Sequence, residues 1–172
     1  MLLAATTTQI FESLFLPGDW TLPSQPKALM TDQKTHVLKR WFEEVWNHGR
    51  AEAIDELAAP DIIAHGLVDS RGRHVAGREM FHTFWREFRS TFPDIRIEIE
   101  DALSDGDKEL VRCTVYATHR GDGIGVAATQ KPVKFSGMVL ARIRDGQLAE
   151  VWDSWDFLSL YQQLGAVPPS VV

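Results

Sequence analysis

The chain's 172 residues are enough for one domain with a full core and too few for two. A hydrophobic share of 44% and a charged share of 24% belong to an ordinary soluble globular protein. A net charge of −6 without a basic stripe argues against nucleic acid and anionic membranes as partners, and no stretch of about 18 apolar residues offers a membrane span. The single cysteine, Cys113, allows neither an internal disulfide nor a cysteine zinc site, so a reducing cytoplasm is the expected setting.

Residues 1–30 differ from the rest. They lack a basic n-region, Glu12 interrupts their apolar positions, and Pro17, Pro23 and Pro26 read as an extended arm of unknown role. Residues 31–172 are expected to form one domain. Over 32–47, Val37, Leu38, Trp41, Phe42, Val45 and Trp46 fall on one helical face. Asn47 and Gly49 end that helix, and a short second one, 50–58, runs to Pro60. "DIIAHGL" (61–67) reads as a strand, and "DSRGRHV" as a turn into another. Helical spacing returns from Gly77 to Ser90 until Phe92-Pro93-Asp94 stops it.

Beyond this point the period becomes two. Ile95, Ile97 and Ile99 alternate with charged residues, and Val111, Cys113 and Val115 do the same in a strand that runs to His119. After a Gly-rich stretch (120–128), strands 131–144 and 147–155 are joined at Asp145-Gly146, a strong hairpin signal. A helix over 156–164 ends at Gly165. Helices followed by long antiparallel strands predict an α+β fold, a curved antiparallel sheet wrapped around helices.

The segments "WNHG", "APDIIAHG", "FPD", "THRGDGIG" and "IRDGQLAEVWDSWDFLSLYQQLG", in this order, resemble the SnoaL-like polyketide cyclases over about residues 32–166. The resemblance implies a cone-shaped barrel enclosing one deep apolar pocket. It also implies a metal-free, cofactor-free enzyme that closes a ring by intramolecular aldol addition on a hydrophobic polyketide ester, with an acidic residue of the last strand as acid/base. Relatives on the fold isomerise, dehydrate or hydrate, and some bind apolar ligands without catalysis. A homodimer through the outer face of the sheet is the expected assembly. One departure is "VAATQKP", where many members carry a Pro-Pro-Thr-Gly-like turn.

Two carboxylates compete for the acid/base role. Pairing strictly about Asp145-Gly146 sets Val139 opposite Trp152 and Met138 opposite Asp153. Asp153 then shares a largely apolar face with Met138, Leu140, Val151 and Trp155, where lost hydration raises a carboxyl pKa. Asp156 stands where the last helix starts, a favoured N-cap position. Asp153 is therefore the better candidate for chemistry and Asp156 for the helix. His119 and His65 are candidate donors to a developing oxyanion. Asn47 fits a family position but also a simple helix cap. Phe84, Met138 and one of Trp152 and Trp155, which point to opposite faces, complete the expected substrate contacts. No spacing supports a metal site, and "GDGIG" is not a phosphate loop, lacking the Lys-Ser/Thr ending.

Overall fold

The structure is a computed structural model and describes residues 36–69 and 72–168. The arm expected over 1–30 lies outside them. Helix α1 opens as an α-helical turn, Val37–Arg40, and widens into a π-helical stretch, Trp41–Asn47. It is followed by α2 (Glu52–Leu57), strands β1 (Ala58–Val68) and β2 (His74–Ala76), and helix α3 (Arg78–Thr91). Strands β3 (Arg96–Asp105), β4 (Lys108–Thr118), β5 (Pro132–Arg144) and β6 (Gln147–Trp155) lead to the closing helix α4 (Phe157–Leu164). Among the described residues these strands form one six-stranded sheet in the order β2-β1-β6-β5-β4-β3. The sheet is curved and unclosed.

The sheet is mixed rather than wholly antiparallel. Strands β3 to β6 pair as an antiparallel meander, but β1 lies parallel to β6. Pro60 belongs to β1 and does not end α2, which stops at Leu57. The β1–β6 register is broken between Ala58 and Ile63, so the missing proline N–H falls in an irregular stretch that needs no ladder bond.

The helices are fastened to the sheet through their backbone ends. The Val37 and Leu38 amides at the start of α1 donate to the two carboxylate oxygens of Glu109 on β4, at 3.1 and 2.8 Å. This satisfies orphan helix donors with a negative group at the positive end of the dipole. In the wide turn, the Val45 carbonyl accepts from Trp85 Nε1 at 3.1 Å, and the Trp46 carbonyl accepts from Arg89. Side chains of α3 thus supply partners to carbonyls at the end of α1. Asn47 is neither a left-handed cap nor a cavity residue. Its amide oxygen accepts from Ile97 N at 2.7 Å and its Nδ2 donates to Ile97 O at 3.0 Å, as a neighbouring strand would, closing part of the edge of β3. The core lies between the inner face of the sheet and the apolar faces of α1 and α3.

Candidate active site

The inner cavity is built from three layers. The wide turn of α1 contributes Trp41, Phe42 and Trp46, and α3 contributes Phe81, Phe84 and Phe88. The sheet adds Val115, Phe135, Val139, Val151 and Trp155 from below. Trp41 and Phe81 meet tilted with centroids 4.9 Å apart, Phe135 and Trp155 edge-on at 6.1 Å, and Phe84 and Phe88 stack at 5.8 Å. The enclosed volume is about 50 Å³. Within this hydrocarbon lining stands one ionisable group, Asp153.

The β5–β6 register explains why Asp153 arrives there. Asp145 and Gly146 both take positive φ, 53° and 77°, the two-residue hairpin expected of Asp-Gly. The first pairs, Arg144 with Gln147 and Ile143 with Leu148, follow the simple count. A bulge at Ala149 then shifts the ladder by one, so that Arg142 faces Glu150, Val139 faces Asp153 and Met138 faces Ser154. A slip of one residue moves a whole set of side chains to the opposite face. Met138 is therefore outside and 50% exposed, and Val139, at 1%, takes the inward place. The expected contact between Met138 and substrate is corrected accordingly. Asp153 still shares its inward face with Val151 and Trp155, because alternation within β6 beyond the bulge is unaffected.

Two glycines hold the aspartate in place. Gly137, opposite Trp155 on β5, leaves room for the indole to lie across the strand; a Cβ there would overlap the ring. The indole Nε1 can then donate to Asp153 Oδ1 at 3.3 Å. Gly66, with φ 86°, brings β1 against the backbone oxygen of Asp153, where a Cβ would overlap that oxygen. Asp153 Oδ2 is enclosed and has no hydrogen-bond partner among the described residues. Burial pushes the carboxyl up to about 7, although the Trp155 hydrogen bond and the His65 charge pull the other way. The neighbouring Cys113 thiol is pushed up to about 12, chiefly by burial, and stays protonated and inert.

The other candidates lie elsewhere. His65 is on the outer face of β1: its Nε2 is 2.9 Å from Glu150 Oε1, and its ring stacks on Trp152 with centroids 5.3 Å apart. Trp152 is thus the outward tryptophan of its strand, with the Arg142 guanidinium over its ring, 5.6 Å from the centroid, and Trp155 is the inward one. His119 is fully buried, but at the base of the 120–130 loop and outside the cavity lining. Its Nδ1 accepts from Thr129 N at 3.2 Å, which leaves the proton on an unpartnered Nε2; burial holds its pKa below the usual imidazole range. Asp156 is exposed and accepts from Ser159 N at 2.9 Å, the N-cap of α4. Phe84 lines the cavity.

Sequence reasoning missed Gly137 and Gly66 as parts of the site. A glycine inside a long strand is a signal for a close approach, and both lie in one. Among the described residues, no three His, Cys, Asp or Glu side chains converge as a metal site would require. No helix among them is long and apolar enough to cross a membrane.

The fold and the lone inward carboxylate on the last strand define a small α+β protein built around an apolar cavity whose described lining holds one ionisable group. The family model for SnoaL-like polyketide cyclases matches residues 36–164, and the chain belongs to that family. Among solved structures it is similar to IdmH from Streptomyces antibioticus, a candidate polyketide cyclase. That match has 29% identity and a TM-score of 0.66, and covers 77% of this chain and 99% of that one. It is also similar to a candidate polyketide cyclase from Bacillus cereus, with 30% identity, a TM-score of 0.63, and coverage of 77% and 80%. AclR from Streptomyces galilaeus, a candidate hydroxylase, shows 25% identity, a TM-score of 0.66, and coverage of 78% and 82%. No curated protein matches.

Proposed function

We propose that the protein is a cyclase-type acid/base enzyme acting on a hydrophobic carbonyl compound, with Asp153 as the group that moves the proton. The observation that carries this reading is Asp153 Oδ2, enclosed without a partner among aromatic and aliphatic side chains. With a pKa of about 7, both forms of the carboxyl are populated near neutrality, as a group that removes and returns one proton requires. The carboxylate takes a proton from carbon next to a carbonyl. The resulting enolate carbon forms a bond to a second carbonyl carbon of the same substrate, and the alkoxide so produced recovers the proton from Asp153. Nothing is oxidised or reduced. Trp155 orients the carboxyl through Oδ1 and leaves Oδ2 for the substrate. His65 and His119 have no part in this scheme, since neither lines the cavity.

Opening of 5-nitrobenzisoxazole tests the base without knowledge of the natural substrate. Asp153 takes the ring C–H proton, the N–O bond breaks, and a coloured cyanophenolate is released. The rate should rise with pH through about 7 and fall about 10²–10⁴-fold in Asp153→Asn. A wild-type rate no better than buffer, or an unaffected Asp153→Asn, favours instead a protein that binds apolar ligands without catalysis.

A further inference from the structure

The inner cavity, at about 50 Å³, takes a group of a few atoms but not a whole polyketide-sized molecule. A second chamber of about 380 Å³ adjoins it. Leu67, Phe84, Phe88 and Phe157 line both. The far side of the chamber is the "GDGIG" loop, a motif that the reaction scheme leaves without a role. Gly123 sits against Thr91 of α3, where a Cβ would overlap the threonine hydroxyl. Tyr161 of α4 donates to the Ile124 carbonyl at 3.1 Å. The loop is thereby fixed between two helices as a wall.

Charge on these walls is of one sign. Among the described residues, Asp69 and Glu87 line the chamber and no Lys or Arg does. Asp69 is bound by Arg73, with Nε 2.8 Å from Oδ2. Glu87 lies on the same face of α3 as Phe84 and Phe88, and among the described residues its carboxylate has neither an ion pair nor a hydrogen bond. An uncompensated carboxylate beside apolar walls attracts a hydrogen-bond donor or a cation and repels an anion.

We propose that this chamber is a second subsite that holds the non-reacting part of the substrate, with Glu87 selecting an uncharged, donor-bearing or cationic part over an anionic one. The proposal rests on the reading of Asp153 as the reacting group. The reactive end passes between Phe84, Phe88, Leu67 and Phe157 to reach it, while the bulk of the molecule stays outside.

Two fluorescent probes that share a skeleton test this: neutral N-phenyl-1-naphthylamine and anionic 8-anilinonaphthalene-1-sulfonate. Both are titrated into Asp153→Asn protein, so that the inner carboxylate adds no charge and no turnover is read. The neutral probe should bind more tightly than the sulfonate. Adding Glu87→Gln should tighten the sulfonate about 3- to 10-fold, leave the neutral probe unchanged, and lose most of its effect at high salt. Val68→Trp, on an exposed wall position of the chamber, should change the affinity for the neutral probe and so locate the site. An unchanged sulfonate affinity in Glu87→Gln, no binding of the neutral probe, or indifference of that probe to Val68→Trp overturns the proposal. Each of these results leaves the assignment of Asp153 to be judged by its own kinetic test.

Discussion

Strand β6 presents a carboxylate to each face of the sheet, and the two are treated in opposite ways. On the outer face, Glu150 lies between His65 and Arg142, 2.9 and 2.6 Å away, beside the exposed edge of Trp152. On the inner face, among the described residues, Asp153 has only a tryptophan N–H, and one of its oxygens has no partner. The strand, the neighbouring backbone and the chemical group are the same. The difference lies in water and partners. The outer carboxylate has an imidazole ring, a guanidinium and solvent around it, whereas the inner one, enclosed in hydrocarbon, is held near the point of balance between its two forms.

The largest effect that sharpens this contrast is the dependence of stability on pH. Asp153 titrates at about 7 in the folded protein and in the usual carboxylate range when unfolded, so between those values the folded state binds more protons. Stability from this group is present below about pH 4 and is lost as pH rises towards 7, by a total on the order of 4 kcal/mol. Asp153→Asn removes that loss. Denaturant midpoints should show the variant more stable than wild type at pH 8 and without advantage at pH 4. A wild-type protein that gains on Asp153→Asn at neither pH breaks the comparison.

A smaller effect separates Asp153 from the second aspartate. Asp156→Ala should cost about 1 kcal/mol by releasing the Ser159 amide, with Asp156→Asn close to wild type, and both should open 5-nitrobenzisoxazole at wild-type rates. Loss of rate in Asp156→Asn would move the chemistry to the start of α4. The smallest effect belongs to the outer face. Glu150→Gln should change the unfolding free energy, read from denaturant titration, by less than about 1 kcal/mol, because exposed ion pairs contribute little.

The same two faces show what was legible in the sequence. The helix-then-strand order, the Asp-Gly hairpin and the alternation of Val151, Asp153 and Trp155 are local patterns, and each is found in the structure. Asp156 as cap of α4 followed from the chemistry of one residue next to a helical run. The partner face of β5 was not legible. A bulge at Ala149 leaves no mark in the alternation of hydrophobic residues, yet it exchanges Met138 for Val139 at the cavity. His65 and His119 were misplaced for a related reason: which side of a strand or which end of a loop a histidine faces depends on pairing between distant segments. The parallel contact of β1 with β6 is another such feature, since it joins segments more than eighty residues apart.

The central claim is that Asp153 is poised between its two protonation states by burial. The direct measurement is the ¹³C titration of the aspartate side-chain carboxyls by NMR, with Asp153 assigned by the signal that Asp153→Asn removes. One carboxyl should titrate at about 7 and be the one lost in the variant. An Asp153 signal that titrates near 4, in the range of an ordinary solvated aspartate, contradicts the account.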